Sequence, residues 1–432
     1  MKELVRTDRV LTPWVAQGGR TPPVIVRGEG SWLYDDRGRR YLDFSAGLVA
    51  VNLGHGHPGV AAAIAEQAHR LAYVAPTFGN DQRNALADAI IELAPWSEGG
   101  RVFFTTGGGE ANEDAVKLAR TMRGRHKILT AYRSFHGSAP GAGTLSGENR
   151  RWPNEPGLPG VVRFFAPFPY RSPFHTRDAA EETERAVAHL EEVVRYEGAD
   201  RIAALMIEPV VGSNGVIVYP PRYLAGVREL CDRYGILLIF DEVMTGFGRT
   251  GDAFAAQRFD VVPDIFTFAK GVTSAYVPLG GVALRESLAA HFDERALPSG
   301  HTFSGHPLAM AAGNATLRAY RDERLFERAR ELETQLRTRL EDLARRHEVL
   351  GEVRGIGAFF GLELVADRPT RTPLVPWQGD SNLNKFFSGL LDRGLYILGR
   401  YNVAIVSPPL TISIAEIDEA VAILDEALGL LK

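Results

Sequence analysis

The feature that most constrains the fold is a series of seven short apolar segments separated by segments with helical periodicity. The strand candidates are residues 101–106, 126–131, 161–165, 202–208, 235–242, 264–270 and 279–285. Segments such as "IAALMIE" and "GILLIFDE" are apolar without strict alternation, which is typical of strands buried on both faces. We therefore predict an α/β fold with a mainly parallel seven-stranded sheet covered by helices. Such sheets bind ligands at the carboxyl ends of their strands.

The segments that flank this region predict a second, smaller α+β domain. Residues 23–44 alternate apolar and polar side chains around glycine turns, as antiparallel strands do. The C-terminal part predicts helices at 304–320, 323–347, near 381–393 and from Ala415, with strands near 350–365. We assign residues 57–303 to a large domain, and residues 1–56 and 304–432 to a small one. Residues 146–160 are predicted to form a long loop.

Composition narrows the classes of function. A net charge of −4 without any basic run gives no footprint for nucleic acid. No apolar run approaches the roughly 18 residues that a membrane span needs. The first fourteen residues lack the apolar segment of a secretory signal, so a cytoplasmic location is the default expectation. Small-molecule chemistry becomes the leading class.

Lys270 stands out because the chain otherwise prefers arginine. Of 49 basic residues, six are lysine, and Lys270 is the last residue of the strand candidate "DIFTFAK". A lysine can lose its proton and form a Schiff base with a carbonyl group, which arginine cannot do. The alternative is a strand-end lysine whose ammonium group reaches solvent.

Two further features agree with a Schiff-base lysine. The glycine-rich segment "TTGGGEANEDAVKLAR" lies between a strand and a helix, an arrangement that binds phosphate, although a tight strand-to-helix turn is the simpler alternative. It matches neither G-x-x-x-x-G-K nor G-x-G-x-x-G, which disfavours nucleotides. Asp241 ends another strand candidate, 29 residues before Lys270. It is either a carboxylate that opens into the same pocket or a residue that caps a helix or forms a salt bridge. Lysine, phosphate cradle and carboxylate together fit pyridoxal 5′-phosphate (PLP).

Six motifs carry a family resemblance: "GGGEANEDAVKLAR", "YRSFHG", "IEPVVGSNG", "DEVMTGFGRTG", "FAKG" and "HTFSGHPLA". In their order and spacing the chain resembles the class III aminotransferases, PLP enzymes of fold type I, over nearly its whole length. Within that family it looks most like the taurine–pyruvate and ω-amine–pyruvate aminotransferases. The resemblance implies the aspartate aminotransferase-like fold and PLP as cofactor.

The resemblance also implies roles for individual residues. Lys270 would be the Schiff-base lysine, and Asp241 would pair with the pyridinium nitrogen. The implied cofactor contacts are Gly108 and Gly109 at the phosphate, Phe135 and Val243 on the two ring faces, and His136 and Glu208 in the pocket. Many relatives have tyrosine in place of Phe135 and a hydroxyl residue in place of Gly109. Thr302 would reach the phosphate of the neighbouring subunit, which implies a homodimer, or a tetramer formed from two such dimers.

The implied reaction is a ping-pong transamination that moves an amino group to an oxo acid, with pyruvate as the expected acceptor. The expected donors are taurine, β-alanine and related ω-amino acids, or simple amines. For the carboxylate of the acceptor we select Arg400, with Arg163 and Arg133 as alternatives, and we select Val49 as a pocket residue. Two alternatives stay open: another PLP reaction (phospholyase, racemase or decarboxylase), and a non-enzymatic α/β ligand-binding protein.

Overall fold

A computed structural model of the chain describes residues 9–18, 22–176, 178–376 and 381–431. Three antiparallel strands come first: β1 (Ile25–Glu29), β2 (Trp32–Asp35) and β3 (Arg40–Asp43). Leu395–Tyr396, near the other end of the chain, pairs in parallel with β3. The N-terminal and C-terminal segments therefore share one four-stranded sheet.

Seven strands form the central sheet, and two short strands form a hairpin beside it. In chain order the strands are β4 (Gly100–Thr105), β5 (Lys127–Ala131), β6 (Val161–Phe164), β7 (Ile202–Ile207), the hairpin β8 (Val210–Val211) and β9 (Ile217–Val218), β10 (Leu237–Asp241), β11 (Ile265–Phe268) and β12 (Gly280–Arg285). The spatial order is β4-β12-β11-β10-β7-β5-β6. β12 is antiparallel to both of its neighbours, and the other neighbouring pairs are parallel.

Helices lie before, between and after the strands of the central sheet along the chain. They are α1 (Ala46–Val49), α2 (Pro58–Arg70), α3 (Asp81–Leu93), α4 (Gly108–Arg123), α5 (Pro140–Leu145), α6 (Ala179–Glu197), α7 (Tyr223–Tyr234), α8 (Ala255–Arg258) and α9 (Glu286–Ala289). α4 packs Ala111, Ala115 and Leu118 against the sheet at β11 and β12. The small residues on this face let the helix lie close to the strands, and its N-terminus lies at the edge of the sheet where β4 and β11 end.

The C-terminal part places two long helices against an antiparallel sheet. Its elements are α10 (Pro307–Asp322), α11 (Leu325–Arg346), β13 (Leu350–Ile356), β14 (Phe359–Asp367), β15 (Thr372–Pro373), α12 (Ser381–Asp392), β16 (Leu395–Tyr396), β17 (Leu398–Arg400), β18 (Val403–Val406) and α13 (Ile414–Leu428). α11 buries Leu332, Leu336, Leu340 and Leu343, a 3.6-residue pattern that fixes the face turned to the core. Each buried leucine contributes about 2 kcal/mol to folding.

The predicted α/β fold with a mainly parallel seven-stranded sheet is confirmed, and each of the seven strand candidates overlaps one of its strands. The predicted loop 146–160 contains one short 3-10 helix, Asn149–Asn154. The domain boundaries stay a prediction. Residues 1–8, 19–21, 377–380 and 432 of the predicted small domain, and residue 177 of the large one, lie outside the described residues. Across the described residues, no helix is long and apolar enough to span a membrane.

Candidate active site

A cavity of about 410 Å³ opens at the carboxyl ends of β10 and β11. These strands are parallel neighbours, with Asp241 paired in register with Thr267, so the residues that follow each strand meet at one edge of the sheet. The lining includes eight of the nine predicted cofactor residues: Gly108, Gly109, Phe135, His136, Glu208, Asp241, Val243 and Lys270. The structure therefore brings together residues that lie up to 162 positions apart in the chain (270 − 108).

The N-terminus of α4 faces this cavity. Gly107 is its N-cap, and no side chain of the described residues caps the helix. The hydroxyl of the preceding residue, Thr106, donates to Glu110 at 2.7 Å. A Cβ at Gly108 would lie 2.8 Å from the methyl carbons of Val243, whereas a Cβ at Gly109 would meet its nearest atom at 3.7 Å. The free backbone N–H groups and the positive end of the helix dipole make this turn fit a phosphate group.

Asp241 is the last residue of β10, and several neighbours orient its buried carboxylate. Oδ1 accepts a hydrogen bond from the Val243 backbone N–H at 3.0 Å. Oδ2 accepts one from the Asn112 amide at 2.8 Å and lies 2.7 Å from Nδ1 of His136. Asn112 is itself fixed, because it accepts from the Thr267 hydroxyl at 2.7 Å. A carboxylate held in this way is suited to pair with a protonated ring nitrogen.

Glu208 is a second buried carboxyl group at the cavity. Its two oxygens accept hydrogen bonds from the backbone N–H groups of Phe135, at 3.0 Å, and Gly212, at 2.8 Å. Burial, together with the charge of Asp241, raises the pKa of Glu208 to about 7, against the opposing effect of His136. Glu208 thus fixes the backbone that carries the Phe135 ring.

Lys270 follows β11 and begins a short 3-10 turn, Lys270–Val272. Its φ of 46° is in the left-handed region, which costs a non-glycine residue about 1 kcal/mol. Neighbouring contacts hold this turn: the Tyr320 hydroxyl donates to the Gly271 carbonyl at 2.7 Å, and the Asn52 amide packs so closely that a Cβ at Gly271 would lie 2.7 Å from it. The backbone thereby aims the lysine side chain into the cavity, where it keeps part of its accessible surface.

Removal from bulk water lowers the pKa of Lys270 from 10.5 to about 8, even though Asp241 and Glu208 act to raise it. Arg150 and Arg249 add to the lowering. Near neutral pH a usable fraction of Lys270 is therefore the neutral amine, which is the nucleophilic form.

This pKa predicts how the cofactor-free protein reacts with PLP. The rate of covalent attachment should rise with pH and level off above about pH 8, because the neutral amine becomes the dominant form there. One pH unit below that value the rate should be about tenfold lower. Stopped-flow absorbance of the cofactor-free protein mixed with PLP measures this, with N-acetyl-lysine amide as control. A rate that keeps rising with pH as the control's does would contradict the lowered pKa.

Arg150, from the predicted loop, packs against Phe135. Its guanidinium carbon lies 3.7 Å from the centre of the Phe135 ring and 5.4 Å from that of Trp14, whose ring meets Phe135 edge-on at 6.2 Å. Nε donates to Glu148 at 2.5 Å and Nη2 to Ser213 at 2.8 Å. An arginine thus lies beside a cavity-lining ring and near enough to Lys270 to affect its pKa.

Glu148 joins Arg150 to Arg400. Its side chain is fully buried, and Oε2 accepts hydrogen bonds at 2.8 Å from both Arg400 and the Tyr401 hydroxyl. Arg400 also donates to Asn149 at 2.8 Å. Burial alone would raise the pKa of Glu148, but the two arginines and Tyr401 hold it below its ordinary value.

The other predicted site residues lie away from the cavity lining, as the described residues define it. Val49 is buried in a separate apolar cluster, although the adjacent Ala50 lines the cavity. Arg163 donates to the carbonyl groups of Thr144 and Ser146. Thr302 is exposed, and its carbonyl accepts from the Tyr73 hydroxyl at 3.1 Å.

Sequence reasoning missed three residues at this site. Asn112 buttresses Asp241, Arg150 packs on Phe135, and Glu148 links Arg150 to Arg400. The sequence feature that could have indicated Asn112 is its position in the first turns of the helix that follows the glycine-rich segment. For Arg150 and Glu148 the signal was weaker: a run of charged residues, "ENRRW", in a loop long enough to be functional.

Comparison with known proteins places this geometry in context. The family "Aminotransferase class-III" matches residues 15–428. The taurine–pyruvate aminotransferase of Rhodobacter capsulatus is 36% identical, over 94% of this chain and 91% of its own length. The omega-aminotransferase of Caulobacter vibrioides is 35% identical, over 95% of this chain and 94% of its own length.

Among solved structures, a taurine:2-oxoglutarate aminotransferase from Bifidobacterium kashiwanohense, in complex with PLP and glutamate, superposes with a TM-score of 0.95 at 41% sequence identity. The match covers 98% of this chain and 95% of the other. Similarity thus extends over almost the full length of each protein compared.

Proposed function

The chain belongs to the class-III aminotransferase family, whose members use PLP, and on that premise we propose that it is an ω-type transaminase. It would transfer an amino group from an amine whose acid group is distant or absent to an oxo acid. The observation that carries this proposal is the meeting of Lys270, Asp241 and the uncapped α4 turn in one cavity. Bound PLP supplies the electron sink for a bond broken at the substrate carbon.

The residues of the cavity would have different roles toward the cofactor. Lys270 would attach it covalently and then, once released, move a proton at the substrate carbon as general acid and base. Asp241, held by Asn112 and His136, would keep the ring nitrogen protonated. The remaining proposed contacts are Gly108 and Gly109 at the phosphate, Phe135 and Val243 against the ring faces, and Glu208 behind Phe135.

A homodimer would complete each site. Thr302 is exposed and lies next to the exposed aromatic side chains of Tyr73 and Phe303. Phe303 is 54% exposed and packs edge-on against Tyr73 at 6.2 Å. Exposed aromatic clusters of this kind favour burial against another protein surface. We propose that a second copy covers them, with Thr302 reaching its phosphate site.

Arg150 is the arginine that we propose for the substrate's acid group. Its Nε and Nη2 have protein acceptors, and within the described residues Nη1 makes no hydrogen bond, so its N–H groups are available to an anion. Trp14 adds an apolar surface beside it. Arg400 would act indirectly, since its Nη2 donates to Glu148 and Asn149 and its guanidinium packs on Tyr401, outside the cavity lining. Arg150 contacts the cavity-lining ring of Phe135, whereas Arg163 donates to the carbonyl groups of Thr144 and Ser146 and Val49 packs in a separate apolar cluster.

The charge balance favours an acid group with a single negative charge. Glu148 lies between Arg150 and Arg400, so this cluster carries one positive charge in excess. A taurine sulfonate or a β-alanine carboxylate would neutralise that excess. A simple amine would leave it unpaired, which favours ω-amino acids over amines without an acid group as donors.

A donor and acceptor panel tests the proposed reaction. The purified protein is incubated with taurine, β-alanine, γ-aminobutyrate or 1-phenylethylamine, each with pyruvate and with 2-oxoglutarate, and alanine and glutamate are measured. We expect amino-group transfer from at least one ω-amino acid. If neither product forms from any donor while carbon dioxide or a racemised amine does, another PLP reaction replaces transamination.

The Arg150 assignment predicts a selective change in substrate binding. Arg150→Met should raise KM for taurine or β-alanine by about 10–100-fold, because a charge-assisted hydrogen bond contributes roughly 1.5–3 kcal/mol. KM for 1-phenylethylamine should stay within about threefold, since that donor has no acid group to hold. Initial rates over a range of donor concentrations measure both values.

Arg163→Met is the matched control for this variant, because Arg163 is a partly buried arginine outside the cavity lining. It should leave both KM values nearly unchanged. Equal losses with acidic and neutral donors in Arg150→Met would show that Arg150 supports Phe135 rather than the acid group. If donor binding were weakened only in Arg163→Met, Arg163 and not Arg150 would be the residue that binds the acid group.

A further inference from the structure

Asp114, on the sheet-facing side of α4, is a buried carboxylate that the cavity does not use. Oδ1 accepts a hydrogen bond from the Ser299 hydroxyl and one from the Lys117 ammonium group at 3.0 Å. Oδ2 lies 2.6 Å from Nε2 of His301. Burial alone would raise the pKa of Asp114, but these hydrogen bonds hold it below its ordinary value. The carboxylate of Asp114 is therefore ionised, and both of its oxygens are paired with hydrogen-bond donors.

Two of the partners of Asp114, Ser299 and His301, belong to one loop, residues 299–304, which leads into α10. The His301 ring packs on Phe103 of β4, with ring centres 5.7 Å apart. The Ser304 hydroxyl donates to the Phe104 carbonyl at 2.8 Å. The loop is thus fastened at two points, through Asp114 to α4 and through Ser304 to β4.

The tip of this fastened loop lies outside the lining of the chain's own cavity. Thr302 and Phe303 are both exposed, and in the described part of the chain neither lines the cavity. A surface loop with no binding role seldom needs a buried carboxylate to order it, because burying that charge costs free energy. We therefore expect the ordered loop to serve a partner molecule that its tip, Thr302 and Phe303, contacts in a defined position.

We propose that Asp114 is a positioning residue that acts in trans: through Ser299 and His301 it holds Thr302 in place for the PLP phosphate of a second copy of this chain. This inference rests on the proposed function, since it uses the PLP site and the homodimer. α4 would then serve two phosphates. Its N-terminus at Gly108 and Gly109 holds the phosphate of its own subunit, and Asp114, less than two turns later, orders the loop that serves the other.

Asp114→Asn tests the anchor with little change in shape. The amide keeps one acceptor but loses the charge and presents a donor to partners that are themselves donors, so the loop loses its attachment to α4. We expect the dissociation constant for PLP to rise about tenfold. Equilibrium dialysis followed by the yellow absorbance of the bound cofactor measures it. Glu113→Gln is the matched control, because Glu113 is the adjacent carboxylate on α4 and contacts Ala142 instead of the loop.

Hybrid dimers distinguish an effect in trans from local damage to α4. The first hybrid pairs an Asp114→Asn subunit with a Lys270→Ala subunit. Its single lysine-bearing site receives Thr302 from the subunit with an intact Asp114, so PLP affinity should equal that of the wild type. The second pairs a wild-type subunit with a Lys270→Ala/Asp114→Asn subunit. Its single lysine-bearing site receives Thr302 from the loosened loop, so PLP affinity should fall about tenfold.

The opposite pattern, with weak PLP binding in the first hybrid and normal binding in the second, would overturn the inference and show that Asp114 supports its own subunit's phosphate cradle. Equal binding in both hybrids would also overturn it. If Asp114→Asn does not fold, His301→Gln, which leaves the buried carboxylate in place, is used in the same two hybrids with the same expectations. A wild-type protein that binds no PLP would instead overturn the proposed function itself, and the inference with it.

Discussion

Replacing Lys270 with alanine is expected to lower kcat/KM for transamination by at least about 10⁴-fold, because the same side chain provides the covalent attachment and the proton transfer. The fold should survive, since an alanine removes atoms that line a cavity and breaks no hydrogen bond of the described structure. PLP should still bind weakly through the α4 turn, but without the yellow colour of the covalent link. Steady-state kinetics and absorbance spectra measure the two effects.

Lys385→Ala is the control for this variant, because Lys385 is an exposed lysine of α12, remote in the chain from the site. It should leave both activity and colour unchanged. A Lys270→Ala protein that kept the yellow covalent link, or more than about a hundredth of the wild-type rate, would show that another residue is the PLP lysine.

The Asp241→Asn variant should separate binding from catalysis. Asparagine keeps an oxygen that accepts from the Val243 N–H but loses the charge that holds the ring nitrogen protonated. We expect kcat to fall by about 10²–10³-fold, the scale on which loss of one preorganised electrostatic contact acts. Because Lys270 is intact, the protein should stay yellow. The measurement is kcat at saturating donor and acceptor, with PLP content determined on the same sample.

The control is Asp252→Asn, which removes a carboxylate that pairs with Arg330 outside the cavity lining. It should change kcat by less than about twofold. Unchanged kcat in Asp241→Asn would contradict the role of Asp241, whereas complete loss of the yellow colour would show that Asp241 acts mainly in binding. The first outcome would also remove the reason for the contacts that Asn112 and His136 make with it.

The meeting of Lys270 and Asp241 was predictable from sequence because one physical rule governs it. Both residues follow apolar segments that read as buried parallel strands, and parallel strands bring their carboxyl ends to one edge. The glycine turn before α4 obeys the same rule, since β4 lies in the same sheet. Here β12 separates β4 from β11, a detail of strand order that no residue pattern announced.

The arginine at the site was not predictable in the same way. Arg400 had a position in the chain that suggested a substrate contact, but its partner Glu148 lies 252 residues earlier in a loop. The path of a loop follows from individual hydrogen bonds and not from a periodicity, so the packing of Arg150 on Phe135 became visible only in three dimensions. The contact between the side chains of Asp114 and His301 was not predictable from sequence for the same reason.

Reduction of the purified protein with borohydride, followed by proteolysis and mass spectrometry of the peptides, tests the central claim most directly. The reduction converts the link between PLP and its lysine into a stable bond, so the modified residue can be located. The account predicts a phosphopyridoxyl group on Lys270, within the peptide that contains "DIFTFAKG", and loss of the yellow absorbance on reduction. A label on another lysine, or a protein that carries no label after incubation with PLP, would contradict it.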